Sequence, residues 1–319
     1  MPNWFTIISR SAVEWPRVMS GIALYSTVFP GVEPFLGQWC RSVIEQSRRD
    51  FEIWIGLDSL SPEAVQVGME QSLDAHWVLA EKGSTPAEVR QNALEAFVER
   101  VDYVVFVDSD DILAPSRVAA AIESLSESDV AACALEFADE AGIGQGDNMT
   151  LADDVPDDAM LPRFNSYGLS NTAYRAATLR ACLPIPCEAV MVDWYLATRA
   201  WLMGASMSFD RTPRMLYRQH GSSMARVRKP FSAQQLLRDA RRVALHFGLM
   251  KNAIPGNSLT RRVEELRAVS DDVDTFLNWV MDDDDALLRY VDALNESDAG
   301  QYWWESVAYP PLSDMWTTS

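Results

Sequence analysis

Five consecutive apolar, strand-favouring residues, Tyr103–Val107, run directly into Asp108-Ser109-Asp110-Asp111. A run of that kind suits a strand at the centre of a sheet covered on both faces. Polar residues fixed to its carboxyl end fall where open α/β sheets bind ligands. Three further apolar runs come earlier, at Gly21–Val28, Phe51–Leu57 and His76–Ala80. Between them lie stretches of helical character. Residues 33–46 carry Phe35, Leu36, Trp39, Val43 and Ile44 at helical spacing; a second helix follows Pro62; a third covers 86–100, with Pro86 just after the capping candidates Ser84 and Thr85. Strands alternating with helices in this way predict an α/β fold with a mostly parallel sheet flanked by helices. The first two strands also end in polar residues, Ser26-Thr27 and Asp58-Ser59.

Beyond the aspartates the pattern changes. Val130–Phe137 reads as a strand, 138–158 as a Gly- and Asp-rich loop, Val192–Met203 as a helix, and Ser206–Phe209 and Arg214–Tyr217 as short strands. The glycines at 142, 144 and 146 lack the G-x-G-x-x-G order of a dinucleotide loop. From Pro230 onward the chain is helical and amphipathic, which predicts a domain over 1–229 and a helical C-terminal region over 230–319. That tail is a candidate surface for homo-oligomerisation, set against the simpler role of a helical cover.

A net charge of −19 excludes a nucleic-acid partner, which needs an excess of Lys and Arg, and electrostatic docking on an anionic membrane. A phosphate-bearing ligand would need a local cation. No apolar run reaches the roughly 18 residues of a transmembrane segment, and residues 1–10 do not have the form of a secretory signal. The four cysteines are scattered, which fits reduced thiols and a cytoplasmic protein. With only three histidines, a multi-histidine zinc site is excluded.

Three carboxylates within Asp108–Asp111 repel one another unless something positive sits among them. A divalent cation that shares its coordination with substrate phosphates answers that need. The alternative is a solvated turn in which Asp111 or Ser116 caps the next helix, 115–125.

From about Gly21 to Val227 the sequence resembles the family 2 glycosyltransferases of the GT-A fold, a Rossmann-like sheet with helices on its faces. The likeness rests on Ile22–Pro30 as opening strand and turn, on Phe51–Ser59, on Arg90 and Asn92, and on Val105–Asp111 as the metal-binding motif. It continues in Val192-Asp193-Trp194, where Val192 replaces the family's usual glutamate, and in Tyr217-Arg218-Gln219-His220 followed by Ser223. The resemblance implies a nucleotide-sugar half over about 20–112 and an acceptor half over 113–229. It implies an inverting transfer from a UDP- or GDP-linked donor to a glycan or other hydroxyl. Thr27, Phe29, Asp58, Arg90 and Asp108 would bind the nucleotide, and Asp110, Asp111 and His220 would hold Mn²⁺ or Mg²⁺. Asp193 would be the general base and Trp194 an acceptor contact. A non-catalytic nucleotide-sugar-binding protein of the same fold is an alternative. A sugar nucleotidyltransferase is disfavoured, because no glycine-rich, arginine-bearing loop follows the first strand.

Overall fold

The structure, a computed structural model, describes residues 7–8, 21–221 and 229–317. The chain forms two compact units that interleave along the sequence. The first draws on Met1–Asp157, Tyr167–Glu188 and Ala205–His220, the second on Asp158–Ser166, Ala189–Gly204 and Gly221–Ser319.

The first unit is built on one sheet. In chain order its elements are β1 (Ile7–Ile8), β2 (Ile22–Val28), α1 (Leu36–Ile44), β3 (Glu52–Leu57), α2 (Pro62–Gly68), β4 (His76–Leu79), α3 (Pro86–Phe97), β5 (Tyr103–Phe106), β6 (Ile112–Leu113), α4 (Arg117–Ser124), β7 (Val130–Ala138), β8 (Gly144–Met149), β9 (Thr172–Arg175), α5 (Ala176–Cys182) and, after α6 of the other unit (Val192–Leu202), β10 (Met207–Arg218). The strand order is β1-β4-β3-β2-β5-β9-β7-β10-β6, with β8 paired to β7. β4, β3, β2 and β5 are mutually parallel, as the βαβ spacing predicts. The sheet then turns mixed, because β9 lies antiparallel between β5 and β7, while β10 returns parallel to β7.

Packing explains why the parallel half was readable. All seven residues of β2 are buried, and the apolar stripe of α1 (Leu36, Trp39, Cys40, Val43) joins Leu24, Ile55, Val105 and Val107 in one core. Burying side chains of this size is favourable by roughly 1.5–3 kcal/mol each. Gly56 permits a close approach, since a Cβ there would meet the Tyr25 hydroxyl at 2.7 Å.

Two expectations change. The loop foreseen over 138–158 contains β8, a hairpin partner of β7; five of its six residues are exposed, so no apolar alternation announces it. The two short strands foreseen at 206–209 and 214–217 are one strand, β10, whose register against β7 shifts around Pro213. Proline has no N–H to give the ladder there.

The second unit is helical: α6, α7 (Ala233–Asn252), α8 (Thr260–Asp282), α9 (Asp284–Glu296) and α10 (Asp314–Thr317). α7 buries Leu236, Ala240, Val243, Phe247 and Met250, and α8 buries Leu266, Val269, Val273, Phe276 and Val280, the spacing of one helix face. Phe276, Tyr290 and Trp316 close the bundle with ring centroids 4.7–5.7 Å apart. No helix among the described residues is long and apolar enough to cross a membrane.

Candidate active site

The aspartate cluster is a turn fastened on two sides. Val107 N donates to Tyr25 O at 3.1 Å, extending the β5 pairing, and Asp111 N donates to Asp108 O at 3.2 Å to close the turn. Ser109 is buried, and its hydroxyl donates to Thr27 O at 2.7 Å. Asp108 N donates to the Ser170 hydroxyl at 2.9 Å. With the backbone fixed, Asp108 and Asp110 remain partly exposed at 26% and 19%, while Asp111 is 1% exposed.

The end of β10 meets this turn. Arg218 N donates to Asp111 Oδ1 at 2.8 Å and Arg218 Nε to Asp110 O at 2.6 Å. Its remaining nitrogens donate to Glu140 O and Gln38 Oε1, each at 2.6 Å, and its guanidinium lies 4.7 Å over the Phe35 ring. Two residues on, His220 Nε2 is 3.0 Å from Asp110 Oδ2, with its ring against Phe35 at 4.9 Å. Burial pushes the Asp111 carboxyl well above the usual carboxylate range, and the charges of Asp110 and Asp108 add to it; the nearby Ser170 hydroxyl and the Arg218 amide oppose them. Asp111 Oδ2 is buried without a hydrogen-bond partner among the described residues.

Asp58 sits just past β3, its N–H donating to Val28 O at 2.9 Å and its Oδ1 accepting from the Ser59 hydroxyl at 2.9 Å. Ser59 has φ 57°, the left-handed conformation of a sharp turn. Thr27 is buried, and its hydroxyl pairs with that of Tyr25 at 2.9 Å. Its side chain therefore faces the core, and its carbonyl braces Ser109. Desolvation holds the Tyr25 phenol up at about 12, so it stays protonated. Phe29 is half-buried against the same core. Arg90 extends from α3, whose start is fixed by a Thr85–Glu88 capping box. Its Nη2 lies 4.0 Å from Asp108 Oδ1, and its Nε is buried without a partner among the described residues.

The remaining two candidates belong to the second unit. Asp193 stands in the first turn of α6, half-buried, and its Oδ2 accepts from Asn165 Nδ2 at 2.8 Å. Trp194 is placed differently from its expected role. It is fully buried, stacked on His246 at 4.2 Å and 11°, and edge-on to Phe247 at 5.6 Å. A sugar ring cannot reach a face covered in this way, so Trp194 is a core residue.

Residues 27–168 match the model of glycosyl transferase family 2. That stretch of the chain is similar to a family 2 glycosyltransferase domain. EpsH of Bacillus subtilis (strain 168), which bears a glycosyltransferase name, is 26% identical over 225 residues, covering 66% of this chain and 63% of EpsH. The chain therefore spans less than two thirds of that relative's length. Among solved structures, the 1-349 fragment of S. aureus TarS aligns at TM-score 0.54 and 18% identity, covering 80% of this chain and 71% of that one. The mannosyltransferase PcManGT from Pyrobaculum calidifontis, in complex with GDP-Man and Mn²⁺, aligns at TM-score 0.55 and 16% identity over 85% and 75% of the two chains. At such identities the likeness is one of fold, the GT-A fold. The matched span includes Asp58, Arg90 and Asp108–Asp111 and stops before Asp193 and His220, whose placement rests on geometry alone.

Among the described residues no three His, Cys, Asp or Glu side chains form a ready-made metal cage. A cage is not needed for Mg²⁺-type ions, which are usually held by one or two carboxylates together with substrate phosphates. The Asp110–His220 pair supplies an oxygen and an imidazole nitrogen at 3.0 Å, beside the buried Asp111 carboxyl. Those donors fit Mn²⁺ or Mg²⁺. The sequence did not single out Ser170 and Asn165, which hold aspartates from 62 and 28 positions away, or Gln38, which braces Arg218 from 180 positions away; no local pattern marks contacts of that range.

Proposed function

We propose that this protein transfers a sugar from a UDP- or GDP-linked donor to an acceptor hydroxyl, inverting the anomeric centre. The observation that carries the reading is the Asp110–His220 pair in the crowded carboxylate turn after β5, in a chain whose residues 27–168 match the family 2 model. The donor class is supported by the neighbours, since TarS 1-349 was solved with UDP-GlcNAc and PcManGT with GDP-Man.

In this reading Asp58 hydrogen-bonds the base, Asp108 takes the ribose, and Phe29 and the Thr27 turn line the nucleotide. Arg90 sets its guanidinium beside the diphosphate. Asp110 and His220, with Asp111 behind them, would hold Mn²⁺ or Mg²⁺, and that ion would stabilise charge on the leaving diphosphate as a Lewis acid. Asp193 accepts the proton of the acceptor hydroxyl while the acceptor oxygen bonds to the anomeric carbon and the bond to the diphosphate breaks. The proton rests on Asp193 and passes to solvent after release. One displacement inverts the centre without a covalent intermediate.

A thermal-shift screen of UDP and GDP with and without Mn²⁺, followed by consumption of UDP-GlcNAc and GDP-mannose over a panel of hydroxyl acceptors, tests the proposal. Stabilisation by one nucleotide with Mn²⁺, and release of the matching diphosphate, is the expected result. Binding without turnover on any acceptor would favour a nucleotide-sugar-binding protein, and no binding would remove both.

A further inference from the structure

The hairpin of β7 and β8 ends in a turn that apolar burial does not explain. Five of the six residues of β8 are exposed, and two of them, Gly144 and Gly146, bring no side chain to pack. Polar contacts hold the turn instead. Gly142 N donates to Asp139 O at 2.9 Å and Asp139 N to Ile143 O at 3.0 Å. The two carbonyls between are taken by side chains from other elements. Arg218 Nη1 donates to Glu140 O at 2.6 Å, and Gln38 Nε2 to Ala141 O at 3.0 Å. The same two side chains join each other, Arg218 Nη2 donating to Gln38 Oε1 at 2.6 Å.

Gly142 lets the turn come this close. Its φ is +82°, and a Cβ there would meet Ile112 Cδ1 at 2.8 Å, Gln38 Oε1 at 2.9 Å and Arg218 Nη1 at 3.0 Å. The consequence falls on Arg218, which is 2% exposed. The carboxylates of Asp110 and Asp111 are near enough to act on its charge, and an arginine beside carboxylates readily takes one in a bidentate pair. Its side-chain hydrogen bonds run instead to three neutral oxygens, Asp110 O, Glu140 O and Gln38 Oε1. The Asp110 carboxylate meets His220. A buried guanidinium must keep its N–H groups paired. One that lost Glu140 O and Gln38 Oε1 would turn to the neighbouring carboxylates and compete there with a cation.

We infer that the β7–β8 turn is a positioning element of the aspartate site. With Gln38 and Gly142 as its positioning residues, it holds Arg218 on neutral oxygens and keeps the Asp110 and Asp111 carboxylates open to a divalent cation. All of these residues belong to the first unit. The inference rests on the reading of Asp110 as a cation ligand.

The test uses the full chain with UDP or GDP, whichever the wild type binds with Mn²⁺. Calorimetry reads nucleotide affinity across a Mn²⁺ series, and thermal melting checks the fold. Gln38→Leu keeps the bulk of the side chain and removes both of its hydrogen bonds, while Gly142→Ala pushes on the same two side chains. Each should raise the Mn²⁺ concentration for half-maximal nucleotide affinity by about tenfold, the scale of one hydrogen bond to a charged group. Affinity without Mn²⁺ should stay unchanged, and saturating Mn²⁺ should restore the wild-type value, because the ion displaces a competing guanidinium by mass action. A fault in folding alone would weaken binding with and without Mn²⁺ alike. If Gly142→Ala fails to fold, Gln38→Leu decides, since Gln38 is exposed on α1. A wild-type Mn²⁺ midpoint in Gln38→Leu, or a loss that persists at saturating Mn²⁺, overturns the positioning role alone. A wild type whose nucleotide binding ignores Mn²⁺, or a full Mn²⁺ gain in Asp110→Ala, instead removes the cation reading on which the inference stands.

Discussion

The two units each present aspartates, a cluster of three after β5 in one and Asp193 in the first turn of α6 in the other. At the end of β5, Asp108, Asp110 and Asp111 are crowded, and burial and mutual repulsion drive the Asp111 carboxyl upward. Arg218 braces that turn mainly through backbone atoms, while Arg90 lies 4.0 Å from Asp108 and His220 3.0 Å from Asp110. At the start of α6, Asp193 stands with a neutral amide on one oxygen. On the proposed reading, the first would hold a cation and the second would act as a base.

The largest expected effect tests that division. Asp193→Asn should lower turnover by roughly 10²- to 10⁴-fold, about 3–5 kcal/mol in the barrier, while UDP or GDP binding with Mn²⁺ stays intact in calorimetry. A parallel loss of turnover and nucleotide binding would break the contrast between the two sites. Next comes Trp194→Ala. Removing a fully buried indole should cost about 3–5 kcal/mol in denaturant unfolding. Unchanged stability with a raised acceptor KM would instead return Trp194 to the acceptor site.

A smaller effect concerns pH. Desolvation lowers the pKa of buried His246 from 6.5 to about 3, so this imidazole is neutral where it stacks on Trp194. Between those values the unfolded chain binds the extra proton and the folded chain does not. The contribution is therefore whole above pH 6.5 and is lost as pH falls toward 3. By pH 4 the loss should be on the order of 2–3 kcal/mol. His246→Leu should flatten the fall of unfolding free energy between about pH 6 and 4, and an unchanged slope would place the acid sensitivity elsewhere.

The same contrast explains what could be read from sequence. β2, β3 and β5 are apolar runs buried in a parallel sheet, so composition alone marks them, and the aspartates follow β5 without a gap. Arg218 and His220 were visible through their neighbours in the sequence. β8 was not, because its residues face solvent and only backbone pairing makes it a strand. Nor was the Trp194–His246 stack, which joins residues 52 positions apart and turned an expected sugar platform into core. Asn165 escaped for a related reason. An asparagine in a loop has no local signature that separates a solvated turn from a partner to a carboxylate on another element.

The turn after β5 is proposed to act as a cation-dependent diphosphate site. Calorimetry of UDP and GDP, each with and without Mn²⁺, on the wild type and on Asp110→Ala addresses it directly. One nucleotide should bind the wild type at least about tenfold more tightly with Mn²⁺, a difference near 1.4 kcal/mol, and Asp110→Ala should lose that gain. Binding that ignores Mn²⁺ in the wild type, or a full Mn²⁺ gain in Asp110→Ala, would contradict it.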